Sequence, residues 1–189
     1  MTENTRLGAL GLLAHPELTA ESPNGVSGNY MFLDLIAVLK WIQRNIAAFG
    51  GDPDNVTIWG QSSGGAKVHL MLASPLAKGL FHRAITQGFV PDNVPLSESE
   101  TWGQQYFAQL GVTTLEEARA LPWEELVETF VAMPRPPGSG LSVDGWFLPD
   151  TPLNIYAAGH QNAVPLIVQN VVGEITSPTS TVIHDNVEL

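Results

Sequence analysis

Val56-Thr57-Ile58-Trp59-Gly60-Gln61-Ser62-Ser63-Gly64-Gly65-Ala66 is the stretch that decides the fold. Val56 to Trp59 is a short β-branched and aromatic run, which predicts a strand, and a buried one. Gly60 to Gly65 predicts a turn, and Ala66 to Ala73 a helix. Within the turn, Gly60-Gln61-Ser62-Ser63-Gly64 matches G-x-S-x-G. The pattern alone is weak, because Gly and Ser are common. A strand running in and a helix running out give it weight, since an exposed serine nucleophile needs that layout. The flanking glycines let neighbouring backbone pass without a Cβ clash. The Ser62 hydroxyl then projects at the carboxyl end of the sheet, where α/β folds bind ligands. The Ser63 N–H, opening the helix, can face the oxyanion formed when Ser62 attacks a carbonyl. The competing reading is a Gly/Ser-rich structural turn.

Upstream, residues 30–49 predict a helix. Phe32, Leu35, Ile36, Leu39, Ile42, Ile46 and Phe49 recur at three- and four-residue steps, with Asn29 as N-cap and Gly50 as left-handed stop. Residues 1–29 read as loop, interrupted by the apolar Leu7–Leu13, and Asp52-Pro53-Asp54-Asn55 as a turn. Downstream, His82–Gln87 and Val164–Val168 predict strands. Residues 97–133 hold seven glutamates and one arginine. They carry two capping-box patterns, Ser97-x-x-Glu100 and Thr114-x-x-Glu117, and Pro122 as a third helix start. These helices are expected to show a solvated face. Met133–Gly140 is a Pro/Gly breaker, Asp144-Gly145 and Pro149-Asp150 mark turns, and there is no internal repeat. Alternating strands and helices predict an α/β protein with a parallel sheet. About three strands is few for such a sheet, a first sign of an incomplete domain.

Bulk composition narrows the chemistry. The 189-residue chain has 19 acidic and 8 basic residues, a net charge of −11. A chain this acidic repels phosphate backbones and anionic lipid, which argues against nucleic-acid and membrane-surface partners. There is no cysteine, so disulfides, thiolate metal sites and cysteine nucleophiles are excluded. No apolar run approaches a membrane span. Met1-Thr2-Glu3-Asn4 shows no signal-peptide pattern, and a cytoplasmic location is the expectation.

The motifs, taken in order, resemble type B carboxylesterases, the cholinesterase-like α/β-hydrolases. Asn4-Thr5-Arg6-Leu7-Gly8 is similar to the family's Asn-Tyr-Arg-Leu-Gly. Gly28-Asn29, Asp34, Trp41, Asn45-Ile46 and Phe49-Gly50-Gly51-Asp52-Pro53 follow. Then come Val56-Thr57-Ile58, Gly60-Gln61-Ser62-Ser63-Gly64-Gly65, Ser74-Pro75, Gly79 to Ile85 with Gln87, Val143-Asp144-Gly145, Leu148-Pro149 and Val164-Pro165-Leu166-Ile167. The resemblance implies a partial α/β-hydrolase fold: a mostly parallel sheet flanked by helices, incomplete at both ends. Residues 1–189 would form one partial domain, with 97–133 an acidic helical insertion and 175–189 an irregular tail. It also implies a Ser–Glu–His triad acting on small-molecule carboxylic esters, with no cofactor. Ser62 falls on the nucleophile position and the Ser63 N–H on the oxyanion hole. Glu174, in Asn170-Val171-Val172-Gly173-Glu174, is the candidate acid, although the spacing is one residue longer than the family's and the following glycine is gone. Other departures are Gln61 and Ser63 where the elbow usually has Glu and Ala, Leu35 after Asp34, and Gly88-Phe89 in place of Ser-Gly.

Two expected parts are missing from this reading. The family's oxyanion His-Gly-Gly loop lies well upstream of the Asn-Tyr-Arg motif, and the triad histidine follows the acid at a large separation. The resemblance covers roughly the middle third of a full member. Five histidines are present. His15 reads as exposed loop, His69 as pointing away from the Ser62 face, His82 as structural and His160 as lying at the wrong end of the sheet. His184, in the tail, is the remaining internal candidate for the base. No histidine pair has metal-ligand spacing beside a carboxylate. Three functional readings stand: an ester hydrolase, a non-catalytic remnant or interaction module on the esterase scaffold, and a split enzyme completed by a second chain. Self-association is the further possibility among partners.

Overall fold

A computed structural model describes residues 1–134 and 140–170. Its centre is a sheet of three parallel strands, β1 (Thr57–Gln61), β2 (Arg83–Gln87) and β5 (Leu166–Gln169), in the order β1-β2-β5. Helix α4 (Ser63–Ala73) makes the crossover from β1 to β2. The register sets Trp59 beside Ile85 and Ile85 beside Ile167, and sets Gln61, Gln87 and Gln169 in one row at the carboxyl ends. Successive side chains alternate between faces. Gly60, Ala84 and Thr86 therefore share the face on which α4 lies, and all three are buried. Thr86 donates its hydroxyl to the Gly65 carbonyl (3.3 Å), tying β2 to the first turn of α4.

The predicted helix over 30–49 forms as α3 (Tyr30–Asn45), followed by a 3₁₀ turn over Ile46–Phe49 and Gly50 at φ 78°. Its apolar stripe, Met31, Phe32, Leu35, Ile36 and Leu39, packs on Val68, Leu70, Met71 and Leu72 of α4. Phe147, Leu148 and Ile155 close the same core, the last from helix α8 (Pro152–Ala157). Asn29 stands at the head of α3 but does not cap it with its side chain. At φ 56° its amide instead donates to the Ser142 carbonyl (2.8 Å) and Asp144 (3.0 Å), and its oxygen accepts the Ser142 N–H (3.1 Å). A buried amide with three partners to satisfy outweighs one helix cap. Asp144 in turn accepts the N–H groups of Trp146, Phe147 and Leu148, so the expected Asp144-Gly145 turn is a carboxylate-centred loop.

A second apolar cluster surrounds Trp102, Tyr106 and Phe107 of α5 (Leu96–Leu110). Leu115 and Ala118 of α6 (Leu115–Ala120) join it, with Phe130 of α7 (Trp123–Ala132). Most glutamates of these helices face solvent, as expected; Glu100 is half-buried and accepts from Thr19. Thr114 forms the expected capping box with Glu117. Ser97 does not cap: it lies inside α5, which starts directly after β3 (Val94–Pro95) pairs with β4 (Ser142–Val143). Residues 1–29, expected to be loop, contain α1 (Gly8–Leu12) and α2 (Pro16–Glu21). Pro16 opens α2 and the ring of His15 caps it, accepting the Glu17 N–H at 3.2 Å. The predicted burial of Val56–Trp59 is corrected too. β1 is an edge strand among the described residues, and Trp59 is 66% exposed.

Candidate active site

The expected turn over Gly60–Gly65 is tighter than its sequence suggests. β1 runs through Gln61 and α4 begins at Ser63, leaving Ser62 as the whole connection. Ser62 has φ 55° and ψ −119°, a backbone state that costs a non-glycine residue about 1–3 kcal/mol. The surroundings enforce it. A Cβ on Gly60 would collide with the Gly64 carbonyl. One on Gly65 would come within 3.0 Å of the Gln87 carbonyl, and one on Gly88 within 3.0 Å of the Ser62 carbonyl. The Ser62 N–H donates to the Gln87 carbonyl (2.7 Å), and the Ser62 carbonyl accepts the Ala66 N–H (3.0 Å). Both backbone groups of the serine are thus held by neighbours. Its hydroxyl makes no capping bond to α4, and the residue is exposed. Ser63 is the first residue of α4, so its N–H has no intrahelical acceptor and sits at the positive end of the helix dipole. A serine oxygen displayed beside such an N–H can attack a carbonyl, and the N–H can donate to the oxyanion that forms on the former carbonyl oxygen.

Gly88 and Gln87 escaped the sequence reading as supports of this turn. A glycine directly after a strand was the available signal; its need arises from a contact with a residue distant in the chain. A polar link also crosses the strand ends: Trp59 Nε1 donates to Gln87 Oε1 (2.9 Å), and Gln87 Nε2 donates to Gln169 Oε1. Asn170, its amide nitrogen turned toward them, donates to the carbonyls of Gln169 (3.2 Å) and Gly88 (3.1 Å). The end of β5 therefore touches the residue that presses on Ser62. Glu174 and His184 lie outside the described residues.

The other histidines have their own work. His15, expected to be exposed, is buried: its ring stacks on Phe107 at 4.0 Å, and burial lowers its pKa against the opposing pull of Glu17 and Glu100. The reason is the α2 cap, which turns the ring inward. His69 is 4% exposed, and burial pushes its pKa down to about 4. Its Nδ1 lies 2.9 Å from the Tyr156 hydroxyl, which donates to the His69 carbonyl (3.0 Å). That assigns the Nδ1–H tautomer, with Nδ1–H as donor. His82 Nδ1 accepts the Val56 N–H (3.1 Å), fixing the entry to β1, and His160 is exposed. None of these bonds reaches Ser62. Among the described residues, no cluster of three or more His, Cys, Asp or Glu could hold a metal, and no helix is long and apolar enough to cross a membrane.

A parallel sheet with a serine on the strained turn between strand and crossover helix defines an α/β-hydrolase fold. Solved structures agree. A para-nitrobenzyl esterase superposes with TM-score 0.77 at 29% identity, over 96% of this chain and 40% of that one. A carboxylesterase of Geobacillus stearothermophilus gives 0.77 at 31% identity, over 88% and 36%. The chain belongs to the carboxylesterase family, whose family model matches residues 1–187. Among curated relatives, fumonisin B1 esterase of Sphingopyxis macrogoltabida is 40% identical over 174 residues, 89% of this chain and 32% of that protein. Para-nitrobenzyl esterase of Bacillus subtilis is 32% identical over 177 residues, 89% and 35%. The chain thus spans about a third of the length of these relatives.

Proposed function

We propose that this chain carries the nucleophile of a carboxylic ester hydrolase. Ser62 attacks the carbonyl of a small-molecule ester, the alcohol leaves, and water hydrolyses the acyl-enzyme. The Ser63 N–H supplies one oxyanion donor. Glu174 orients the base, a histidine, in the tautomer that accepts the serine proton. One observation carries the reading: in a carboxylesterase-family chain, Ser62 alone joins β1 to α4, at φ 55° and with its hydroxyl free. The contact of Asn170 with Gly88 supports Glu174, because the chain leaves β5 on the serine's side. His15, His69 and His82 are committed elsewhere, which leaves as the base either His184 or a histidine of a fuller carboxylesterase polypeptide, the latter also supplying the remaining oxyanion donors.

Isolated residues 1–189 then hydrolyse p-nitrophenyl esters barely above buffer. Serine without a base is a weak nucleophile. Loss of a triad member costs on the order of a millionfold in turnover, and one lost oxyanion donor roughly a hundred- to a thousandfold. These losses overlap and do not multiply. The test is to co-express the chain with the two flanking segments of the 40%-identical fumonisin B1 esterase and compare wild type with Ser62→Ala. Turnover that appears with wild type and vanishes with Ser62→Ala is expected. Turnover indifferent to the substitution removes Ser62 from the mechanism. Strong Ser62-dependent turnover by the isolated chain would place the base inside it, at His184.

A further inference from the structure

A cavity of about 180 Å³ opens in the second apolar cluster, where α1, α2, α5, α6 and α7 meet. Leu13, Leu18, Phe107, Leu115 and Leu126 wall it, each from or beside a different one of these helices. Ala9 and Ala118 face it where a larger side chain would fill it, so the helices surround a void rather than a packed centre. Voids of this size are few in protein interiors, because the atoms lining them lose contacts on one side. None of the residues around the cavity belongs to β1, to α4 or to the strand ends that hold Ser62.

The walls decide what can fill it. A water molecule held inside a protein needs several polar partners, and this lining offers few. The Tyr106 hydroxyl is engaged, donating to the Leu126 carbonyl (2.6 Å). Arg119 is engaged as well: it donates to both carboxylate oxygens of Glu21, at 2.9 and 2.5 Å, in a solvent-exposed pair at the rim. Tyr30, with the Arg6 guanidinium 5.4 Å from its ring centre, is the remaining polar side chain among the described residues that line the cavity. A carboxylate ligand would have to take Arg119 from Glu21, so negative charge brings no net attraction. Leu10 at the mouth is 49% exposed, which leaves a way in from solvent. An apolar cavity of roughly 150 Å³ takes up a benzene molecule, so this one has room for a single ring or a short alkyl chain.

We propose that this cavity is a binding site for an uncharged apolar group, a single aromatic ring or a short alkyl chain, separate from the ester site at Ser62. Its occupant touches side chains from five helices at once. α1, α2 and α6 have only five or six residues each, too few to hold their shape without tertiary contacts. Binding ties them to α5 and α7 and stabilises the folded chain by mass action.

The test is titration of the full chain with fluorobenzene, followed by its fluorine resonance, with 4-fluorobenzoate as the charged comparison. Fluorobenzene is expected to give a saturable shift, 4-fluorobenzoate to bind at least tenfold more weakly, and the melting midpoint to rise by roughly 3–6 °C at ten times the fluorobenzene Kd. Ala118→Leu puts an isopropyl group into the void and should weaken fluorobenzene binding at least tenfold. Trp59→Asp, which removes exposed apolar surface from the sheet, should leave it unchanged. Nuclear Overhauser contacts from the ligand ring to the Ala118 and Leu115 methyls of the wild type locate the site without any variant, so the test stands if Ala118→Leu fails to fold. Absence of saturable binding overturns the proposal, and so does absence of those contacts. Binding that Trp59→Asp abolishes and Ala118→Leu keeps puts the probe on the open sheet and overturns it too. Equal or tighter binding of 4-fluorobenzoate overturns the assignment of an uncharged ligand.

Discussion

A single methyl group at residue 60 is enough to dismantle the turn that displays Ser62. It would collide with the Gly64 carbonyl, a backbone atom that cannot swing aside as a side-chain tip can. Overpacking of this kind costs on the order of 3 kcal/mol, which in a chain of this size lowers the melting midpoint by roughly 6–12 °C. Gly60→Ala is therefore expected to melt well below wild type in a thermal scan, and an unchanged midpoint would show that the turn relaxes freely. The G-x-S-x-G pattern made the glycines flanking Ser62 legible, because their purpose is local. Gly88 was not legible as part of the same device, since its neighbour Ser62 lies at the end of another strand, 26 residues away in the chain. The inward turn of His15 was hidden for a related reason. Nothing in His15-Pro16-Glu17 says that Phe107 waits to stack on the ring.

Among the elements, legibility follows length and period. α3 repeats its apolar stripe over 16 residues and was readable almost to the residue, stop included. α1, α2 and α8 have only five or six residues, too few turns for a period to emerge, and they form because tertiary contacts hold them. β1 was legible as a strand but not as an edge. A β-branched and aromatic run looks the same whether a neighbouring layer covers it or not, and that layer is a property of distant chain. Capping chemistry, by contrast, is local and testable. Thr114 accepts the Glu117 N–H (3.2 Å), while Glu117 accepts the N–H groups of Thr113 (2.7 Å) and Thr114 (3.1 Å). Thr114→Ala is expected to destabilise by about 1 kcal/mol, because α6 presents Leu115 and Ala118 to the second cluster only when its first turn is ordered. Urea midpoints measure it. In the double variant with Glu117→Ala the loss should fall short of the sum, since the two side chains serve one box; strict additivity would refute the coupling.

At the scale of the whole molecule, acid is the condition that gathers several weaknesses at once. The sequence pI is about 4.6, so acidification removes the net charge that keeps copies apart. Over the same range His69 changes from silent to costly. Its folded pKa lies near 4, against about 6.5 for an unfolded histidine. Above pH 6.5 both states are neutral and His69 contributes nothing to pH dependence. Between 6.5 and 4 the unfolded chain binds a proton that the native chain refuses, so stability falls as pH falls. The loss approaches about 3 kcal/mol at most, from 1.36 kcal/mol per pKa unit. Asp34 acts in the same direction further down: Arg6, paired with it at 2.7 Å, holds its carboxyl below the usual range, and that stability is lost as pH drops through the lowered value. The pair is partly exposed, so its share is small. His69, joined by the buried His15 whose pKa burial also lowers, is thus the main source of slope between pH 6.5 and 4.5. Urea unfolding across that window should show a steep decline for wild type. His69→Asn keeps a donor for the Tyr156 hydroxyl but cannot take a proton; it should start from a lower stability, because it leaves unfilled space beside the Tyr156 ring, yet decline less. If the two slopes are equal, the buried imidazole is not what makes the fold sensitive to acid. In that event His15 or the exposed carboxylates are responsible, and added salt, which screens the exposed charges, should flatten the slope of both proteins alike only if the carboxylates are.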